Sequence, residues 1–168
     1  MDVMQVIRER RSIRQYQKRM IEEEVLTEIL EAARLAPSAS NRQDWRFVVV
    51  KDREQIERLA SAAAQSFLAT APVLIAGVAL NPERVMRCEV PAYAVDLSIA
   101  LTNITLVAAA RGLGTCWIGS FDQKEVKKVL KIPEQYKVVQ MMPLGYPEES
   151  PAARSRKPLS EVVSYDFF

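Results

Sequence analysis

Apolar residues recur at helical spacing from the start of the chain, where Val3, Val6 and Ile7 follow an aspartate, Asp2, suited to capping a helix. That pattern stops at Arg10. It resumes with Ile21, Val25, Ile29 and Ala33, flanked by Leu26 and Leu30, predicting a second amphipathic helix that ends before Pro37. Residues 45–50, Trp-Arg-Phe-Val-Val-Val, are a strand by composition, and residues 52–64 predict a helix with Ile56, Leu59, Ala60 and Ala63 inward. Residues 72–80, apolar throughout around Gly77, predict a buried strand broken by Asn81-Pro82. The longest helical stretch is 91–111, with Pro91 suited to its first turn, Gly112 to its C-terminal cap, and apolar residues nearly all round, which predicts burial. A short strand at 115–118, a helix at 123–130 and a strand at 136–144 complete the pattern before a loop at 145–157. Strands alternating with helices predict one domain, 1–168, built as a mixed α/β sandwich. The aromatic tail, Tyr165-Asp166-Phe167-Phe168, is expected to dock, on this chain or on a partner.

Composition narrows the classes. A membrane span competes for the long helix, but Asp96, Ser98, Thr102, Asn103 and Thr105 interrupt its apolar run and no second span follows. A 19 kDa chain has little surface with which to enclose such a helix on every side, so part of it is expected to meet a second subunit. The balance of 23 basic against 21 acidic residues is too even for a broad nucleic-acid face. The chain has no histidine, which excludes Ser-His-Asp and Cys-His catalysis and histidine metal sites, so no metal is expected. Cys88 and Cys116 form no CxxC pair, and charged residues occupy the place of a signal sequence, so the expected setting is the cytoplasm.

The basic signal is local. Arg8, Arg10, Arg11, Arg14, Lys18 and Arg19 crowd residues 8–19 against Glu9 alone. Beyond the helix the chain should run extended, which would set Arg10, Ser12 and Arg14 on one face and turn Ile13 to the core, a receptor for a small anion. Arg154 and Arg156 repeat the same spacing, although exposed arginines are ordinarily solvated surface charge. The loop Pro37-Ser38-Ala39-Ser40-Asn41-Arg42-Gln43-Asp44 reads equally well, taken alone, as an ordinary Ser/Asn turn.

The segments Arg10-Arg11-Ser12, Pro37 to Gln43, and Gly112-Leu113-Gly114-Thr115-Cys116-Trp117-Ile118-Gly119 recur in order with Pro143-Leu144-Gly145-Tyr146-Pro147 and then Arg154-Ser155-Arg156. Together they resemble the nitroreductase family of flavin enzymes over nearly the whole chain. The resemblance implies an α+β fold with a central, mainly antiparallel sheet flanked by helices, and a long buried helix at a homodimer interface. It implies that Arg10, Ser12, Arg154 and Arg156 bind FMN through its phosphate, that Arg11 also belongs to the cofactor site, and that Arg14 reaches the ribityl or pyrimidine side. Pro37, Ser38, Ala39, Ser40 and Asn41 would cover the flavin of the other subunit. Gly119, beside Trp117, Ile118 and Ser120, would bring its backbone N–H to flavin N5, where glycine suits close approach. The family's flavin-facing lysine has no counterpart, since Ala63, Gln65 and Ser66 occupy that neighbourhood, so Arg14 is the first candidate for the needed cation and Gln65 the second. Residues 81–91 are short where some relatives carry a helical excursion, which implies an open pocket.

The implied reaction is hydride transfer from NADH or NADPH through flavin N5 to a flat acceptor such as a nitroaromatic or quinone, with no obligatory protein acid or base. Gly112-x-Gly114 followed by Gly119 is no dinucleotide fingerprint. The alternatives are a carrier or sensor that binds flavin or another phosphorylated ligand without turnover, and oxygen-dependent oxidation or reductive dehalogenation within the same superfamily. An RNA-binding module lacks the interleaved aromatics apart from Tyr16.

Overall fold

Four strands form one antiparallel sheet in the order β1-β2-β4-β3, with β1 at Trp45–Val50, β2 at Val73–Ala79, β3 at Gly114–Thr115 and β4 at Lys137–Gly145. The structure is a computed structural model and describes residues 2–168. Five helices cover it: α1 Val3–Glu9, α2 Glu23–Arg34, α3 Arg53–Ala62, α4 Ala92–Ala110 and α5 Gln123–Leu130. The expected sheet flanked by helices is present.

β2 is buried at every position because helices cover both faces of the sheet. Side chains alternate across it, so Ile75 joins Ile29, Leu101, Ile104 and Met142 under α2 and α4. Leu74 points the other way, to Ile56, Leu59, Val126 and Met141 under α3 and α5. Gly77 lets α4 approach the strand, since a Cβ there would lie 3.1 Å from Leu101 Cδ1. Asp52 caps α3 by accepting from the Gln55 N–H at 2.8 Å, and Asp122 caps α5 from Glu125 at 2.9 Å.

The pattern erred at several edges. Asp2 makes no side-chain cap bond to α1, and α2 begins at Glu23, leaving Ile21 buried just ahead of it. The strand expected at 115–118 pairs only through Gly114 and Thr115, then leaves the ladder and touches it once more where Ile118 meets Met141. α4 buries only one side in this chain, through Asp96, Leu97, Ala100, Leu101, Ile104 and Ala108. Val95, Ile99, Thr102 and Leu106, spaced along the opposite side, remain wholly or partly uncovered. The tail does not dock on its own chain: Tyr165 is 83% and Phe167 86% exposed.

Candidate functional site

The arginine cluster is aimed by what its neighbours bury. α1 ends with the Arg10 N–H bonded to the Val6 carbonyl at 2.9 Å, and the chain then runs extended, Ser12 bridging Thr115 and the Ile13 N–H donating to the Thr115 carbonyl at 2.9 Å. Ile13 is buried against Gly114, where a Cβ would lie 2.5 Å from Ile13 Cγ1, so glycine at 114 is what admits Ile13. With Ile13 locked inward, its neighbours Ser12 and Arg14 are turned to the opposite side.

The same segment is tied to the end of the chain. Tyr16 is buried, donates its hydroxyl to the Ile13 carbonyl at 2.6 Å and bridges Pro147. The Gln17 N–H donates to the Tyr146 carbonyl and the Glu148 N–H to the Gln15 carbonyl, each at 2.9 Å. The Glu149 carboxylate accepts from the Arg14 and Gln15 N–H groups, the latter at 3.2 Å. This pairing returns residues 151–156 to α1. The result is a cavity of about 420 Å³ lined by Arg8, Arg10, Arg11, Ser12, Arg14, Arg154 and Arg156 with Ile7 and residues 151–153.

No carboxylate lines that cavity, and none of its arginines is in an ion pair among the described residues. Arg11 donates to the Arg8 and Arg10 carbonyls at 2.6 and 3.0 Å, closing the C-terminus of α1, where a cation is favoured. Arg156 turns to the Arg154 and Ser155 carbonyls. Beneath the cavity Cys116 is buried, and burial is the main cause pushing its thiol up, against the pull of Arg14 and Arg10. Burial thus favours the thiol over the thiolate. Guanidinium forks and a hydroxyl around a space without acids fit the phosphate of a mononucleotide such as FMN.

The other expected site residues lie elsewhere. Residues 37–44 are outside the arginine cavity of their own chain and contain a 3-10 turn, Ala39–Asn41. Ser40, Asn41 and Gln43 have left-handed φ of 56°, 51° and 55° without being glycine. Ser38 Oγ accepts from the Gln43 N–H at 3.0 Å, which leaves its O–H free to donate. Trp117 is 39% exposed, Ile118 is buried, Gly119 and Ser120 are exposed, and a Cβ on Gly119 would meet nothing within 4 Å. Gly119 thus faces open space rather than a close neighbour in its own chain. Gln65 lines a separate cleft with Glu57, Ser61 and Ala64 and shares no wall with Arg14.

Glu149, Gly114 and Tyr16 shape the cavity without having stood out for that role. Gly114 stood out only as part of the 112–119 segment and Tyr16 only as an aromatic beside the arginine run, and a lone glutamate in a loop carries no local signal of the two amides it accepts. Asp96 and Arg84 also gained partners, both on Ala39.

An α+β sheet bordered by a carboxylate-free arginine cavity is an arrangement suited to a small anion. Residues 7–80 and 64–146 match the model described as the Nitroreductase family, and the chain belongs to that family. It is 36% identical over 165 residues to a relative from Methanothermobacter thermautotrophicus whose name pairs NADH dehydrogenase with NAD(P)H nitroreductase, covering 92% of this chain and 82% of that one. An FMN reductase [NAD(P)H] from Bacillus subtilis is 28% identical, with 96% of this chain and 72% of that one covered. An FMN-dependent nitroreductase from Clostridium difficile R20291 superposes with a TM-score of 0.87 at 31% identity, covering 98% and 99% of the two chains.

Proposed function

We propose that this chain is an FMN-dependent oxidoreductase that takes hydride from NADH or NADPH and passes it to a flat acceptor such as a nitroaromatic or quinone, two subunits sharing each flavin. The observation that carries the reading is the carboxylate-free cavity in which Arg10, Ser12, Arg14, Arg154 and Arg156 meet. FMN, when bound, supplies the hydride-accepting ring, which suits a chain without histidine. Arg10, Ser12, Arg154 and Arg156 would hold the phosphate. Arg14, on the same wall, would supply positive charge at the pyrimidine edge, and the separate location of Gln65 favours Arg14 over it.

Pro37, Ser38, Ala39, Ser40 and Asn41 would act on a second copy's flavin, a role supported by their separation from the arginine cavity of their own chain. Dimerisation is supported by the stripe of exposed Val95 and half-buried Ile99 and Leu106 on α4, a helix otherwise packed on the sheet. The purified protein is expected to be yellow with FMN, and NAD(P)H to bleach it without oxygen. Stoichiometric FMN that NAD(P)H left coloured would overturn the reductase reading in favour of a carrier or sensor.

A further inference from the structure

We propose that Asp96 and Arg84 are positioning residues that grip Ala39 from two sides and hold residues 38–43 in the shape that meets a flavin in the second copy. The inference rests on the assignment of this loop to the partner's flavin.

A loop needed only to lead α2 into β1 would place glycine where φ is positive, yet Ser40, Asn41 and Gln43 are all left-handed and residues 37–44 contain no glycine. Such a conformation persists only if its surroundings over-determine it. Local bonds set the loop's internal shape: the Asn41 N–H donates to the Ser38 carbonyl at 2.8 Å, and Gln43 Nε2 donates to the Asn41 carbonyl at 3.2 Å. They do not fix where the loop sits on the body of the protein.

Beyond the Leu80 N–H that donates to the Asp44 carbonyl at its end, that is done mainly at Ala39. The Ala39 N–H donates to Asp96 Oδ1 at 2.9 Å, and the Ala39 carbonyl accepts from Arg84 Nη1 at 3.1 Å, with Arg84 Nη2 3.4 Å from Ser40 Oγ. Both anchors are themselves held. Asp96 is 5% exposed on the buried side of α4, an apolar helix in which a carboxylate is costly unless hydrogen-bonded. Arg84 begins a short hairpin in which Val85 bridges Pro91, the Met86 N–H donates to the Val90 carbonyl, and the Ala92 N–H donates to the Arg84 carbonyl at 3.0 Å. The residue that interrupts the longest apolar run of the sequence thus connects the helix with an uncovered side to the loop beside it.

The test uses Arg84→Gln, Asp96→Ala and Asp96→Asn, read by tryptic cleavage after Arg42 in flavin-free protein, by FMN affinity, and by the visible circular dichroism of bound flavin. Losing a hydrogen bond on Ala39 is expected to speed cleavage and weaken FMN by roughly tenfold each and to change the flavin's dichroism. The Arg84→Gln unfolding midpoint is expected to stay within about 2 °C of the parent. Asp96→Asn, which keeps an acceptor oxygen, is expected to restore cleavage and affinity to within about twofold. If Asp96→Ala does not fold, Arg84→Gln decides alone. Unchanged cleavage in Arg84→Gln overturns the proposal. Faster cleavage with unchanged FMN affinity and dichroism refutes the assignment of the loop to a flavin, and the positioning role falls with it.

Discussion

The arginine cavity and the 37–44 loop are both polar and both lie where chain leaves regular structure, yet one is closed by distant segments of its own chain and the other stands apart from it. The cavity closes because Ile13 and Tyr16 are buried, and the pairing they impose brings residues 151–156 back to Arg10 and Arg14. The loop is held as firmly, through Ala39, but shares no wall with that cavity. Under the proposed function the difference is a division of labour, in which one chain folds the phosphate receptor and another copy would supply the cover for the rest of the flavin.

The sharpest way to break this contrast is to mix subunits. A chain carrying Arg10→Ala and a chain carrying Ser38→Ala with Asn41→Ala are each expected to lose FMN as homodimers, while their mixed dimer recovers about half of the sites, one intact and one doubly impaired. Flavin absorbance per protein measures this, and no recovery would place both defects in the same subunit's site.

Next in size is the cavity itself. Arg10→Ala or Arg154→Ala removes a charged hydrogen bond of about 1.5–3 kcal/mol, so FMN affinity by fluorescence titration is expected to fall by roughly ten- to a hundredfold. Retained affinity in both variants would refute the phosphate assignment.

The two glycines of the 112–119 segment sharpen the comparison further. Gly114→Ala forces a Cβ into Ile13 and is expected to cost about 1–3 kcal/mol of stability in denaturant titration, with FMN weakened as Arg14 and Ser12 shift. Gly119→Ala meets nothing in its own chain, so flavin-free stability is expected to change by less than about 0.5 kcal/mol. An equal loss at both positions would mean that Gly119 is enclosed within one chain after all.

The smallest effect tests what ties the cavity together. Tyr16→Phe removes the hydroxyl bond to Ile13, a loss of about 0.5–1.5 kcal/mol. Burial is the main cause holding the Tyr16 phenol above its ordinary range, so the folded protein keeps a proton that the unfolded chain releases near pH 10. Stability from this group is complete below that pH and is lost progressively as pH rises above it toward the higher folded value. Tyr16→Phe is expected to flatten the alkaline fall in the unfolding midpoint.

Most helices and strands were legible because burial on one face imposes a period, as in Ile56, Leu59 and Ala60 of α3, or a continuous apolar run, as in β2. The strand expected at 115–118 was misjudged because apolar, β-branched composition reports a pleated, half-buried surface and not the length of a ladder. α4 showed why a helix apolar all round is ambiguous: composition reports that every side avoids water, not whether this chain or another provides the cover.

The sequence by itself determined the elements and the chemistry available: guanidinium groups at alternate positions, a serine between them, a Pro-Ser loop, glycines near 112–119, and no histidine. These follow from residue type and near-neighbour spacing, which act over a turn or a few residues. Only the tertiary structure decided that residues 10–14 and 151–156 line one cavity, that Gln65 lies in another cleft, and that Ala39 is held between Asp96 and Arg84. Those relations depend on register across the sheet and on the close approach that Gly114 and Gly145 permit, as at Gly145, where a Cβ would stand 2.6 Å from Pro72 Cδ. Packing between segments far apart in sequence leaves no periodic trace in either one.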